Sequence, residues 1–299
     1  MANTGNTAIE ADQFHVAIAK FQELLTQNEQ LLNDLNVFPV PDSDTGSNAL
    51  HTLVAGLANV TGETSALAQY ASALAIGSAK SAMGNSGVIL AQYLQGLAQG
   101  LAKTAKSNQC TPSEWQQALL QAAAVAREAV LTPAEGTMLT IADAAAKVVA
   151  ESDFQTYYRQ IQQAVRSAVI ETQNLLPELE AAEVVDAGAL ALSFFHDSFA
   201  ISFGVTIDPL VVSPRKSGAS NYSGPAFELM FSVVCQESTK SEIESKISKL
   251  GESISISGVE PNFNFHIHTD EPHLVIQSCE DQAEITNIRI SELGSQVNG

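Results

Sequence analysis

Residues 1 to about 204 are rich in alanine, leucine and glutamine, with apolar side chains at helical spacing and glycine or proline pairs at intervals suited to helix connections. A chain patterned this way packs as an antiparallel helical bundle. The periodicity predicts eight helices, at about 9–35, 46–60, 64–82, 86–104, 112–130, 135–151, 154–173 and 186–203.

The pattern then changes. Residues 205–225, VTIDPLVVSPRKSGASNYSGP, hold three prolines and a serine-glycine cluster without periodicity, which is linker composition. Beyond them AFELMFSVVC, SISISG, FNFHIH and ITNIRIS read as strands, while TKSEIESKISKL and EPHLVIQS read as helices. The order β-α-β-β-α-β is that of a ferredoxin-like split βαβ domain. The expected organisation is a helical domain at 1–204, a linker at 205–225 and a small α+β domain at 226–299.

Four polar, glycine-bearing stretches stand at predicted helix starts: DSDTGSN at 42–48, MGNSG at 83–87, EGTMLT at 135–140 and VVDAG at 184–188. They open helices two, four, six and eight, and in an up-and-down bundle every even helix begins at the same end. Motifs far apart in the chain thus converge on one rim. Helix starts offer unpaired N–H groups and the positive end of the dipole, and small residues let a phosphate approach the backbone closely. Together they would cradle a polyphosphate.

Lys20 and Lys80 are the only lysines or arginines in residues 1–100, so a triphosphate there needs a divalent cation to balance its charge. Asp42 and Asp44, two residues apart in an extended turn, point the same way. They suit Mg²⁺, which binds through one or two carboxylates plus waters and phosphates, and Asn36 offers a further oxygen. Singly, each motif has a plainer account: Asp44 caps a helix, Asp42 sits in a proline turn, and GNSG, EGT and DAG are ordinary capped starts. The common rim is what favours a site.

In HIHTDEPH, His266 and His268 share one face of a strand, with Asp270 and His273 just after it. Two histidines so spaced can hold a transition metal but need a third ligand. The plainer account is a strand end with two partly exposed imidazoles.

Charge narrows the function classes. With 14 basic against 33 acidic residues and a net charge of −19, the chain is a poor partner for nucleic acid or an anionic membrane. Three scattered cysteines, Cys110, Cys235 and Cys279, form neither a disulfide framework nor a CxxC clip, and MANTGNTAIEAD has no signal-peptide character. A cytoplasmic location without a membrane span is expected.

LNVFPVPDSDTGSN, SAMGNSGVILAQYLQG, PAEGTMLT, VVDAGALAL and HIHTDEP, spread over about residues 14–291, together resemble the dihydroxyacetone kinase L-type (DAK2) domain family, in the version found in the A subunit of bacterial fatty acid kinase. The resemblance implies a closed eight-helix antiparallel barrel that binds ATP or ADP at one end through two Mg²⁺ ions. Positions matching Asp42 and Asp44 hold the metals and, with Thr45, carry catalysis. Those matching Thr45, Gly46, Ser47 and Asn48, and Gly84, Asn85, Ser86 and Gly87, contact the phosphates. Thr137, Met138, Asp186, Ala187 and Gly188 match positions around the nucleotide. The acceptor implied is an acyl carboxylate on a separate carrier protein, or a small hydroxyketone, and a cysteine accompanies the metal-binding histidines.

Several positions depart from the family. Ser43 replaces the usual glycine between the aspartates, a strain if the turn needs positive φ. Met83 replaces an arginine and removes positive charge near the phosphates. The cysteine's place falls at Ser223 or Ala226, which puts Zn²⁺ in doubt. Larger relatives continue past the position of Gly299 into a module that docks the acyl carrier. Two expectations follow: an ATP- and Mg²⁺-dependent phosphotransferase whose small domain serves the acceptor side or a homodimer contact, or a nucleotide-binding regulatory or scaffold subunit without turnover.

Overall fold

A computed structural model describes residues 7–61, 66–104, 108–208, 210–212 and 224–293. The first six residues and most of the expected linker, Ser223 included, lie outside the described residues. In chain order, β1 (Ile9–Glu10) leads into α1 (Ala11–Leu35), α2 (Thr45–Asn59), α3 (Leu67–Lys80) and α4 (Gly84–Thr104). Then come β2 (Gln109–Cys110), which pairs with β1, α5 (Pro112–Glu128), α6 (Met138–Ala146), α7 (Phe154–Thr172), α8 (Pro177–Ala182) and α9 (Ala187–Ser202). The remainder is β3 (Phe227–Val234), α10 (Glu237–Ile247), β4 (Glu252–Val259), β5 (Asn262–Thr269), α11 (Pro272–Glu280) and β6 (Glu284–Glu292).

All eight expected helices are present, with α6 shorter than expected. The unforeseen α8 is six residues opened by Pro177 and ended by Glu183 at φ 56°. PELEAA is too short for apolar periodicity, so only its proline start marked it. It forms part of the connection between two long helices and leaves their sense unchanged.

Local chemistry explains several starts. Thr111 and Glu114 form a capping box with Pro112 in the first turn of α5, and Asp153 caps α7 by accepting from Thr156 N at 2.9 Å. Helix α9 is buried on nearly every side and packs against α1, α2, α6 and α7, as an all-apolar helix must. Phe195 and Phe199 on α9 meet Phe21, Phe14 and Trp115 at the core of the bundle. Helices α4 and α5 approach most closely at two glycines: a Cβ on Gly96 would lie 2.7 Å from Ala122 Cα, and one on Gly100 2.5 Å from Ala118 Cα. Among the described residues no helix is long and apolar enough to cross a membrane.

The second part is an antiparallel sheet in the order β4-β5-β3-β6. Leu229, Phe231, Phe263, Phe265 and Ile267 on one face pack with Ile243 and Ile247 of α10 and with Val275 and Cys279 of α11, a core separate from that of the helices. The other face turns toward the bundle. The outer edge of β4 is not left open: Leu131 N donates to Ile254 O at 3.1 Å and Ile256 N to Ala129 O at 3.0 Å. Pairing an otherwise free edge in this way fixes the sheet on the end of the bundle.

The close approach of α4 and α5 is testable. Gly100→Leu should cost roughly 1–3 kcal/mol through overpacking, whereas Leu120→Ala, at a 43% exposed position, should cost at most about 0.5 kcal/mol. Equal losses in urea denaturation would contradict the packing described.

Candidate functional site

The start of α2 is built so that its aspartates are spared from capping. Asp44 occupies the N-cap position, yet its carboxylate accepts nothing from the helix backbone. Instead Asn33 Oδ1 on α1 accepts from Gly46 N at 2.8 Å and Ser47 N at 3.2 Å. A neighbouring helix thus satisfies the orphan N–H groups, which removes the plain capping account of Asp44. Asn36 Nδ2 donates to Asp42 Oδ1 and aims that carboxylate. Ser43 between them has φ 59°, the left-handed conformation in which glycine is unstrained.

The start of α4 needs its first glycine. Gly84 has φ 58°, and a Cβ there would lie 2.3 Å from Asn48 Nδ2. Ser86 Oγ donates to Thr45 O at 3.4 Å, which ties this turn to the start of α2. At α6, Thr137 Oγ1 accepts from Leu139 N at 3.3 Å and donates to Ala134 O at 2.8 Å. At α9, Asp186 Oδ1 accepts from Ala189 N at 2.6 Å.

These four starts line one cleft of about 490 Å³. Asn36, Asp42, Asp44, Thr45, Gly84, Asn85, Ser86, Thr137, Met138, Asp186 and Gly188 all face it. Five other expected residues do not line it. Gly46 and Ser47 turn to α1, where a Cβ on Gly46 would meet Glu29 O at 2.4 Å and Ser47 Oγ donates to Glu29 Oε1 at 2.8 Å. Gly87 packs on α2, where a Cβ would lie 2.4 Å from Thr52 Oγ1; Asn48 lies against Gly84 and bonds Asp44; Ala187 is buried. Met83 lines a separate groove and is not part of this cleft's lining.

The opposite wall comes from the sheet. Glu228 on β3 pairs in register with His268 on β5, and Glu228, His266 and His268 face the cleft. His266 Nε2 lies 2.9 Å from Glu228 Oε1, and its Nδ1 lies 3.1 Å from Ser253 O. The two imidazoles are 1% and 2% exposed, which overturns the account of a strand end with partly exposed rings. One ligand atom from each of the three residues falls within 4.8 Å of the others, and among the described residues His268 Nδ1 has no hydrogen-bond partner. Ala226 contributes no donor side chain; its backbone N donates to Asp270 Oδ1 at 2.8 Å. Glu228 was not singled out from the sequence, where it is one polar residue in an alternating strand, and only strand register brings it to the histidines.

Charge in the cleft is strongly one-sided. Burial, then the neighbouring Asp44 and Glu228, pushes Asp42 up to about 8 against the hydrogen bond from Asn36. Asp44 is raised too, by burial and Glu228, against Asp42, Asn48 and His266. Burial pushes Asp186 up to about 7 although two backbone N–H groups oppose it. In Glu228 burial is the largest single influence and raises the pKa, but the His266 hydrogen bond and the charge interactions with His266 and His268 together lower it; His268 is depressed to about 3 by burial and then by His266. Among the described residues no lysine or arginine lines this cleft.

Comparison with known proteins fits this architecture. The DAK2 domain family matches residues 39–200, and the FakA-like middle domain of fatty acid kinase matches residues 224–299. The chain belongs to the DAK2 domain family and carries a FakA-like middle domain behind it. It is 31% identical over 297 residues to Protein YloV of Bacillus subtilis, covering 91% of this chain and 53% of that protein. It is 27% identical over 306 residues to protein MG369 of Mycoplasma genitalium, covering 92% and 55%. A Staphylococcus aureus protein, SAB1090, is 27% identical over 295 residues, covering 91% and 53%. The chain spans about half the length of the curated relatives it matches.

The shifted groups set a pH signature in metal-free solution. Asp42 and Asp186 hold protons in the folded state from their ordinary value of 3.8 up to about 8 and 7, so their contribution falls as pH rises through that range. His268, depressed from 6.5 to about 3, acts in the opposite sense and has levelled off above pH 6.5. With a chelator present, the urea midpoint should drop between about pH 6.5 and 8.5, by a free energy on the order of 1–2 kcal/mol. Asp42→Asn should flatten that drop, and an unchanged slope in the variant would exclude Asp42 as its source.

Proposed function

We propose that the cleft binds Mg²⁺ with ATP or ADP and that the protein is a phosphotransferase, passing the γ-phosphoryl group to an acceptor that enters beside the small domain. The observation that carries this reading is the meeting of Asp42, Asp44 and Glu228 with four helix starts in one cavity that, among the described residues, no lysine or arginine lines. Such an arrangement suits a metal-bound polyphosphate. The donor set fits: two adjacent carboxylates, one oriented by Asn36, are hard oxygen ligands. Bound divalent ions would offset the charge of the phosphates and of the aspartates together.

The chain's own residues then act chiefly by positioning. Asp42 and Asp44 hold the metal side, while the N–H groups at the start of α4 and the hydroxyls of Thr45 and Ser86 bond phosphate oxygens. Thr137, Met138 and Gly188 flank the nucleoside, and Asp186 fixes the start of α9 beside it. Catalysis at Asp42, Asp44 and Thr45 would rest on orientation and electrostatics, with no protein nucleophile. The closure of α9 on α1 and α7 supports an antiparallel barrel of the eight long helices, and the sheet order supports a ferredoxin-like small domain. Two separate cores support a helical part and a small sheet part, but Val205, Ile207, Leu210 and Val212 pack on the helical core, so the helical part reaches into the expected linker at 205–225. Three free cysteines support a cytoplasmic location.

Across the cleft, Glu228, His266 and His268 make a donor set of one oxygen and two nitrogens, suited to a borderline ion such as Zn²⁺. In this reading Glu228 takes the place of the family's cysteine. The acceptor class is a small hydroxyketone or an acyl carboxylate on a partner protein, drawn from the family. The alternative, motivated by the strain at Ser43, is a nucleotide-binding regulatory or scaffold subunit, and turnover separates the two. A screen of acyl and hydroxyketone acceptors, with and without candidate carrier proteins, should show steady Mg²⁺-dependent conversion of ATP to ADP with one class. Nucleotide binding with no turnover in any arm would favour the regulatory reading.

Two substitutions test the site itself. Asp42→Asn and Asp44→Asn should each weaken Mg·ATP binding by about 100-fold or more while leaving the helical circular dichroism unchanged. Undiminished affinity by calorimetry in both would remove their metal role. Glu228→Ala should separately abolish a stoichiometric Zn²⁺ content measured after dialysis, and a retained equivalent of metal would show that Glu228 is not a ligand.

A further inference from the structure

The turn from α3 into α4 borders two cavities. Gly84, Asn85 and Ser86 line the cleft, whereas Lys80 and Met83 line a second groove of about 220 Å³ between the bundle and the sheet. Met230 on β3 and Arg289 on β6 form its other wall. Among the described residues no carboxylate lines it, although the chain carries 33 acidic residues against 14 basic ones. Its ionised side chains are therefore of the sign the composition makes scarce.

The floor of the groove is already satisfied. Asn287 Nδ2 donates to Ser232 Oγ at 3.3 Å, Ser232 Oγ to Asn264 Oδ1 at 2.7 Å, and Asn264 Nδ2 to Ala79 O at 2.6 Å. A register shift between β3 and β6 beside Met230, with Asn287 at φ 54°, shapes this wall. The two cations are not spent in the same way. Both are exposed, and among the described residues neither forms an ion pair.

Each has a local role on its own. Lys80 ends α3, where a cation suits the helix dipole, and Arg289 lies on an edge strand, where charge deters unwanted pairing. Neither role accounts for their lining one cavity together with two methionines. A guanidinium matches a planar or phosphate anion through paired N–H groups, an ammonium adds a point charge, and methionine accommodates short carbon chains of varied shape.

We infer that this groove is a binding site for a small organic anion, a carboxylate or phosphate monoester, held by Lys80 and Arg289 with its carbon part against Met83 and Met230. The site is distinct from the cleft and does not depend on the kinase reading. Its position against the turn that opens α4 places bound anion next to the Asn85 and Ser86 segment.

The test uses the full chain with butyrate and inorganic phosphate as probes, followed by ligand-observed NMR titration. Lys80→Gln/Arg289→Gln should weaken saturable binding of both probes at least tenfold. Lys103→Gln/Arg159→Gln, an equal change of charge elsewhere on the surface, should leave it within twofold. Absence of saturable binding to the unaltered protein would overturn the inference, as would binding unchanged in the first double variant or an equal loss in both.

Discussion

Carboxylates that cannot all be ionised in the same small space set the character of this protein. Asp42 and Asp44 lie together, Glu228 faces them from the sheet, and burial raises the cost of charge on the aspartates. A fold held only by internal contacts would pair such groups with lysine or arginine. Here the bundle spends other groups on keeping the aspartates available: Asn33 takes over the capping of α2, Asn36 holds Asp42, and Ser43 stays in a left-handed conformation between them. Strain and aspartates without a lysine or arginine partner among the described residues, gathered at one point, are what a binding site imposes on its scaffold.

The rest of the architecture brings complementary groups to that point. Long helices of alternating sense deliver the starts of α2, α4, α6 and α9 to one end of the bundle. The sheet closes over that end because the edge of β4 pairs with residues 129–131 and Ser255 Oγ donates to Asn85 Oδ1 at 2.9 Å. Glu228, His266 and His268 thereby share a cavity with motifs at least 40 residues away in the chain. The contact through Asn85 also links the turn that opens α4 directly to the small domain.

Much of this was legible before any coordinates. Apolar periodicity located every long helix and every strand of the four-stranded sheet, because burial of one face is what those patterns encode. Asp42, Ser86, Thr137 and Asp186 could be placed on a common rim from helix parity alone, and their shared cleft follows from the same alternation. What stayed hidden depends on lateral packing. That Gly46 and Gly87 serve close helix contacts, and that Met83 faces away from the cleft, are matters of helix rotation, which starts and periods do not fix closely. Glu228 required the register of β3 on β5, and α8 was too short to carry a period.

The central claim is that Asp42 and Asp44 hold cations against a polyphosphate laid across the helix starts. A crystal structure with Mn²⁺ and a non-hydrolysable ATP analogue, using manganese anomalous scattering, tests it most directly. The account predicts manganese at the Asp42 and Asp44 carboxylates, with the phosphate chain against the starts of α2 and α4. Manganese confined to Glu228, His266 and His268, or a nucleotide seated outside this cleft, would contradict it.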